Sequence, residues 1–369
     1  MKPIFSFFLL ITLPFYLESS VTSERKIIEA LTSIGLRGSG NEKAALIMPL
    51  IKGLNSSSIL PLLHAMNQAN SLGDNWIRAS ISEIIDQSKM SSFPQTAILA
   101  FAKNQKNIGS SRRTAFELLR EHDPELAHSI VPGFMNDPEP SLRREAVAQL
   151  LEKAKSSKNE KDSRLLYEKI LSYGRDVSQI KEASSALNEM GESIDLIELM
   201  GFLVNWELIG PFDNSERSGF EMIFPPEKKQ KVQSFYKGKN GDIRWNSFSS
   251  KDPLGMVNIN ELYGEIKEVL AYAKTSFNSS SSRLAQFRIG SKNAWKIWLN
   301  GDLLFARDEY HRGSTRVDQF IVEGELKKGE NIVLLKVCQN EQTQSWTKQW
   351  EFCLRITDPA GSPIRSHSN

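Results

Sequence analysis

From about residue 24 to residue 200, apolar residues recur three and four positions apart, broken by short polar stretches of Gly, Asp, Asn, Ser and Pro. That period places the apolar residues on one face of successive helices. Past about residue 201 the rhythm shortens to two, Gly and Asn multiply, and all but one of the seven tryptophans follow. Alternation of this kind marks strands with one face buried. The chain therefore reads as helices first and an antiparallel β domain second.

Within the helical half, four segments share a finer pattern: a basic residue, a small residue two positions on, and a large aliphatic four positions after that. They are Arg78, Ser80 and Ile84; Arg113, Ala115 and Leu119; Arg144, Ala146 and Leu150; and Lys181, Ala183 and Leu187. The basic residues lie 35, 31 and 37 positions apart. A period near 30–40 with two helices per unit is the mark of a stacked α-solenoid. The small residue lets neighbouring helices approach, and the aliphatic on the same face fills the layer between repeats. An irregular helical bundle would satisfy the same periodicity.

In the second half the expected strands are Tyr272–Phe277, Arg283–Ile289, Trp295–Leu299, Leu303–Ala306, Asp318–Val322, Asn331–Gln339 and Trp350–Ile356. An earlier strand, from about Gly201, should end at the Gly210-Pro211 turn. Asn300-Gly301 joins two of the strands and is a strong hairpin signal, because both turn positions need positive φ.

Two resemblances rest on these residues. Asn136-Asp137-Pro138-Glu139-Pro140-Ser141-Leu142-Arg143-Arg144-Glu145-Ala146-Val147 resembles a HEAT-type repeat, in which an Asp and Pro turn precedes a helix opening on Arg and Ala. Asp137 would cap that turn, and Pro138 or Pro140 would fix φ at the helix start. The polar insert 155–162 breaks the repeat spacing. Further on, Trp206–Phe212, Phe224-Pro225-Pro226-Glu227, Lys296-Ile297-Trp298-Leu299-Asn300-Gly301, Leu326-x-x-Gly329-x-Asn331 and Phe352-x-Leu354-Arg355-Ile356 resemble the galactose-binding-like jelly rolls, including the sugar-binding domain of family 2 glycoside hydrolases. The resemblance implies a β-sandwich over about 201–358, preceded by a HEAT-like region over 24–200 and followed by a tail, 359–369. Some members of such modules carry an acidic pair before the Trp-Leu-Asn-Gly hairpin that holds calcium or a sugar hydroxyl. Here that stretch is Ser291-Lys292-Asn293-Ala294, and lysine supplies no oxygen ligand.

Charge and composition narrow the picture. With 46 basic and 44 acidic residues the chain is near neutral, which gives no electrostatic case for nucleic acid. Lys2 followed by the short apolar run from Ile4 to Tyr16 has the form of a secretory signal, too short for a membrane span, with cleavage expected near Ser23. An uncleaved anchor is the alternative. The expected location is secreted or periplasmic, with no membrane span after signal removal. The two cysteines, Cys338 and Cys353, fall in two strands where alternation points both away from the core. They would meet across a hairpin as a disulfide or stand as separate thiols. There is no Cys-x-x-Cys and no histidine cluster, so no metal or cofactor is expected.

Catalytic patterns are thin. Gly-x-Ser-x-Gly is absent, and nothing in the sequence fixes the separation of Asp308, Glu309 and Asp318 that glycoside hydrolysis would require. Binding patterns are stronger. Alternation puts Trp298 and Lys296 on one face of their strand and Trp295, Ile297 and Leu299 on the other. Trp298 would offer a stacking platform, with Tyr310, His311 and Arg312 on the next loop supplying hydrogen bonds. Its competing role is to pack beneath a covering loop. Trp206, Trp245, Trp346 and Trp350 are expected in the core or at strand edges. The sequence thus points to a non-catalytic secreted binding or scaffold protein. Its helical repeats would make protein contacts and its sandwich would recognise an oligosaccharide or a protein. An accessory carbohydrate-binding part of a polysaccharide-degrading system, or a glycan-active enzyme, is the alternative.

Overall fold

The computed structural model describes residues 23–87, 92–228 and 233–367. The expected signal segment, 1–23, lies outside them except for its last residue. Contacts divide the chain into two compact units, Met1–Gln149 and Leu150–Asn369. The division falls well before the change of rhythm at residue 201, so the last helices count with the strands.

The first unit is helical. Its elements are α1 (23–32), α2 (Asn41–Ile47), α3 (Ile59–Met66), α4 (Ser71–Gln87), α5 (Gln95–Lys103), α6 (Gly109–His122), α7 (Pro124–Ile130) and the start of α8 (Pro140–Ser156). α3 packs on α4, and α5 packs on α6. The repeating pattern has a clear packing meaning. Ser80, Ala115 and Ala146 are buried, as are Ile84 and Leu119, and the basic residues Arg78 and Arg144 are exposed. In the fourth copy, in the second unit, Ala183 and Leu187 are buried as well. Asp137 does more than open a helix. It accepts Glu139 N at 2.9 Å and closes a buried ion pair with Arg112, whose Nε donates to Ala102 O. Arg143 Nε donates to Asp137 O at 2.8 Å, so one turn ties α5, α6 and α8 together. Arg113 pairs with Glu117 and Glu145.

The second unit holds the rest of α8, then α9 (Glu160–Tyr173), α10 (Val177–Glu189) and α11 (Leu196–Met200). Asn159, Asp176 and Asp195 cap the last three by accepting backbone N–H groups. The strands follow: β1 (Asn205–Asp213), β2 (Tyr236–Lys237), β3 (Asp242–Ile243), β4 (Asn246–Ser249), β5 (Val257–Asn258), β6 (Val269–Ser279), β7 (Arg283–Gly290), β8 (Ala294–Leu299), β9 (Asp302–Arg307), β10 (Phe320–Leu326), β11 (Gly329–Gln339) and β12 (Glu351–Thr357), with a one-turn helix α12 (Asn260–Tyr263). Six strands form a sheet in the order β4-β1-β6-β11-β8-β9, four form another in the order β10-β7-β12-β5, and β2 pairs with β3. All these pairings are antiparallel.

The two larger sheets share one core. Trp206, Ala271, Phe277, Trp295, Ile297, Val333, Leu335 and Val337 from the six-stranded sheet meet Phe287, Ile289, Phe352, Leu354 and Ile356 from the four-stranded one. This is the layering expected of a sandwich. All seven expected strands are present, and Asn300 and Gly301 have φ of 55° and 91° as the hairpin requires. One expectation is corrected. β1 does not stop at Gly210-Pro211 but runs on to Asp213, with a register shift between Ile209 and Phe212. Residues 359–367 are tied back, with Ile364 N donating to Ile356 O and Asn278 N donating to Ser366 Oγ.

Of the two readings of the cysteines, the structure takes the separate thiols. Alternation does turn both cysteines away from the core, but β11 and β12 belong to different sheets. Cys338 lies on the outer face of the six-stranded sheet and Cys353 on the outer face of the four-stranded one, with the whole core between them. Both are free thiols and buried, and burial pushes each up to about 12.

Candidate functional site

The outer face of the six-stranded sheet explains the first candidate. Leu334 pairs with Trp298, and Lys336 with Lys296, so these side chains form adjacent rows. The segment after β1 folds back over them. Phe220, with Phe224, Tyr236 and Trp245, packs with Trp298, Tyr272 and Cys338 into a second apolar cluster. Lys336 is fully buried beneath this cover. Its Nζ donates to Phe220 O at 3.0 Å, to Met222 O at 2.7 Å and to Glu227 at 3.0 Å. Tyr272 Oη donates to Glu227 as well, and burial lifts that phenol above its ordinary range. Lys296 sits over the Phe220 ring and pairs with Glu221. Trp298 is thus 7% exposed and cannot offer its face to a ligand. The periodicity placed it outward correctly. A non-local segment covers it.

The other three candidates lie at one end of the sandwich, on the loop after β9. Tyr310 and Arg312 line a polar recess of about 210 Å³ with Arg217, Asp308, Glu309 and Gln342. Arg217 lies over the Tyr310 ring at 5.2 Å and forks onto Glu341, with Nε to Oε2 at 3.0 Å. Arg307 pairs with Glu309 at 2.8 Å. Beneath, the fully buried Asn214 donates to Tyr310 Oη at 3.2 Å and to Gln339 O at 3.0 Å. Burial raises the Tyr310 phenol above its usual range. His311 does not line the recess. It stands behind it at φ 54°, its N donating to Lys292 O at 2.6 Å and its Nε2 lying 3.0 Å from Asn340 Oδ1. Burial, aided by Lys267 and Lys292, holds the imidazole below its ordinary value.

Asp318 is elsewhere. It receives the guanidinium groups of both Arg288 and Arg355 on the four-stranded sheet, so it forms no pair with Asp308 or Glu309.

The wall of the recess that carries Gln342 continues as the loop 340–350, and here lies a residue the sequence reading misplaced. Trp206 and Trp350 are buried as expected and Trp245 is half-buried, but Trp346 is 63% exposed. The loop beneath it is held from inside. Lys292 Nζ donates to Trp346 O at 2.6 Å, Lys267 Nζ to Thr347 O at 2.7 Å, Asn260 Nδ2 to Lys348 O at 3.0 Å and Asn293 Nδ2 to Gln349 O at 3.3 Å. Gln339 Nε2 adds bonds to the carbonyls of 347, 348 and 349. Lys292 and Asn293, just before β8, thus fix the loop through its carbonyls. The one signal in the sequence was the run of amides around Trp346.

No protein-family model matches the chain, and no curated protein matches it. Among solved structures it is similar to an anti-sigma factor domain-containing protein from Clostridium clariflavum, at 12% identity and a TM-score of 0.26, over 45% of each chain. It is similar to a family 35 carbohydrate binding module from Clostridium thermocellum, at 11% identity and a TM-score of 0.18, over 23% of this chain and 69% of that one. It is also similar to a beta-glucosidase from Kluyveromyces marxianus in complex with glucose, at 8% identity and a TM-score of 0.25, over 41% of this chain and 16% of that one. The chain spans less than half of the first of these and a small part of the third.

Proposed function

We propose that this is a non-catalytic binding protein, exported from the cell, whose HEAT-like helical half contacts other proteins and whose jelly-roll sandwich recognises an oligosaccharide. The recess at Tyr310 carries the reading. Its strongest charges are already spent on each other, Arg217 on Glu341 and Arg307 on Glu309. The rest of the lining is Tyr310, the Gln342 amide, and Arg312 and Asp308, which bring one charge of each sign to the same recess. Internal neutralisation of this kind favours a neutral, hydroxyl-rich ligand over a strongly charged one, because a charged ligand would have to break existing pairs to gain new ones. Tyr310 and Arg312 contact the ligand, and His311 positions their loop. The test is binding of neutral β-1,4-linked oligosaccharides to the purified protein by calorimetry, in wild type and in Tyr310→Ala and Arg312→Ala. At least a tenfold loss in each variant, with the melting transition kept, supports the reading. Wild-type binding that both variants leave unchanged would remove the recess from it.

A further inference from the structure

We infer that Trp346 is the platform on which one sugar ring of the ligand stacks, so that the loop 340–350, and not the sheet face, sets the class of ligand as a pyranose with an unbroken C–H face; this rests on the reading of the recess above. Three observations converge. The first is exposure. A tryptophan 63% open to solvent leaves a large apolar surface unburied, although burial of such a ring is strongly favourable. The second is stiffness. The carbonyls of residues 346 to 349 each accept a bond from a side chain rooted in the sandwich, and three of those donors, Lys292, Asn293 and Gln339, are buried. The loop therefore has little conformational entropy left to lose when a ligand settles on it.

The third is what surrounds the ring. Gln342, Gln344, Ser345, Lys348 and Gln349 flank Trp346 along the loop, and none is apolar. A protein-binding hot spot sits at the centre of an apolar, water-excluding patch, which this loop does not offer. A single aromatic face among planar amides and a hydroxyl instead matches the two surfaces of a pyranose. Its axial C–H groups carry partial positive charge toward the negative face of the indole, and its equatorial hydroxyls meet the amides at the rim. Gln342 joins the two parts of the site, because it lines the recess and its carbonyl accepts from Thr347 Oγ1 at 2.8 Å.

The experiment titrates the hexasaccharides of β-1,4-linked glucose, xylose, mannose and galactose into wild type, Trp346→Ala and Trp346→Phe. Sedimentation of the same proteins without sugar runs in parallel. The platform predicts that at least one hexasaccharide binds wild type, that Trp346→Ala weakens it tenfold or more, and that Trp346→Phe falls between. Equal affinity in wild type and Trp346→Ala overturns the platform while leaving the recess standing. Absence of binding by all four sugars overturns both. Loss of a wild-type dimer in Trp346→Ala, with sugar binding untouched, would assign the ring to a protein contact and overturn the inference.

Discussion

Trp298 and Trp346 stand in contrasting places. Both were legible as aromatic side chains on a β domain, and alternation assigned Trp298 correctly to the outward row. Yet the outward tryptophan is sealed beneath Phe220 and its neighbours, and the one expected in the core or at a strand edge is open to water on a loop. The difference lies in what covers each. A sheet face is a large apolar surface that any returning segment can cover, and the segment after β1 brings the aromatics and the acids Glu221 and Glu227 that do so. Among the described residues, the short polar loop at the end of the sandwich leaves Trp346 63% exposed. Orientation follows from local rhythm, whereas coverage follows from tertiary contacts.

The largest test of this contrast removes the anchor of the cover. Lys336→Met should leave Glu227 and two backbone carbonyls without their ammonium partner and cost about 3–5 kcal/mol. Urea denaturation measures the loss, and Trp298 should become quenchable by acrylamide. A variant as stable as wild type would show that the cover does not depend on the lysine. The equivalent change at the loop is milder. Lys292→Met strips the ammonium from Trp346 O and the Gln349 side chain, and should cost about 1–3 kcal/mol while weakening sugar binding with the ring itself intact. Unchanged affinity would mean that the loop holds its shape without the lysine.

Acid should act on the loop end. His311 is faced by Asn340, Gln339, Lys267 and Lys292, and burial holds it below its ordinary value of 6.5. The unfolded chain therefore binds the proton first as pH falls. Stability drops from about pH 6.5 down to the lower folded value and no further on this group's account. His311→Gln should flatten that part of the pH–stability curve, and an unaltered slope would place the acid sensitivity elsewhere. The smallest effects are expected of Trp346→Ala, within about 0.5 kcal/mol of wild type because the ring is exposed, and of native thiol titration. Cys338 and Cys353 should be silent toward a thiol reagent until the protein unfolds, then react as two thiols without reductant. No reactive thiol after unfolding would restore the disulfide.

Much of the architecture could be read in advance, for physical reasons that differ by region. The seven long strands announce themselves through the alternation of their side chains, and Asn300-Gly301 marks its hairpin because both residues take positive φ. The small and aliphatic residues repeated at Ser80, Ala115, Ala146 and Ala183 are buried because helices approach there. The short strands β2 to β5 escaped notice, since two to four residues carry too little rhythm. The cysteine pairing stayed open in the sequence for another reason. Alternation fixes a side but not a sheet, and β11 and β12 are neighbours in sequence that part company in space. At the site, Tyr310 and Arg312 line one recess from a single loop, whereas Arg217 and Gln342 come from segments far along the chain and no local pattern joins them.

Tryptophan oxidation mapped by mass spectrometry, with and without a bound hexasaccharide, tests the central contrast most directly. The account predicts that Trp346 oxidises fast in the free protein and is protected by the sugar, while Trp298 is slow in both states. Fast oxidation of Trp298 in the free protein, or protection by sugar that falls on Trp298 and spares Trp346, would contradict it.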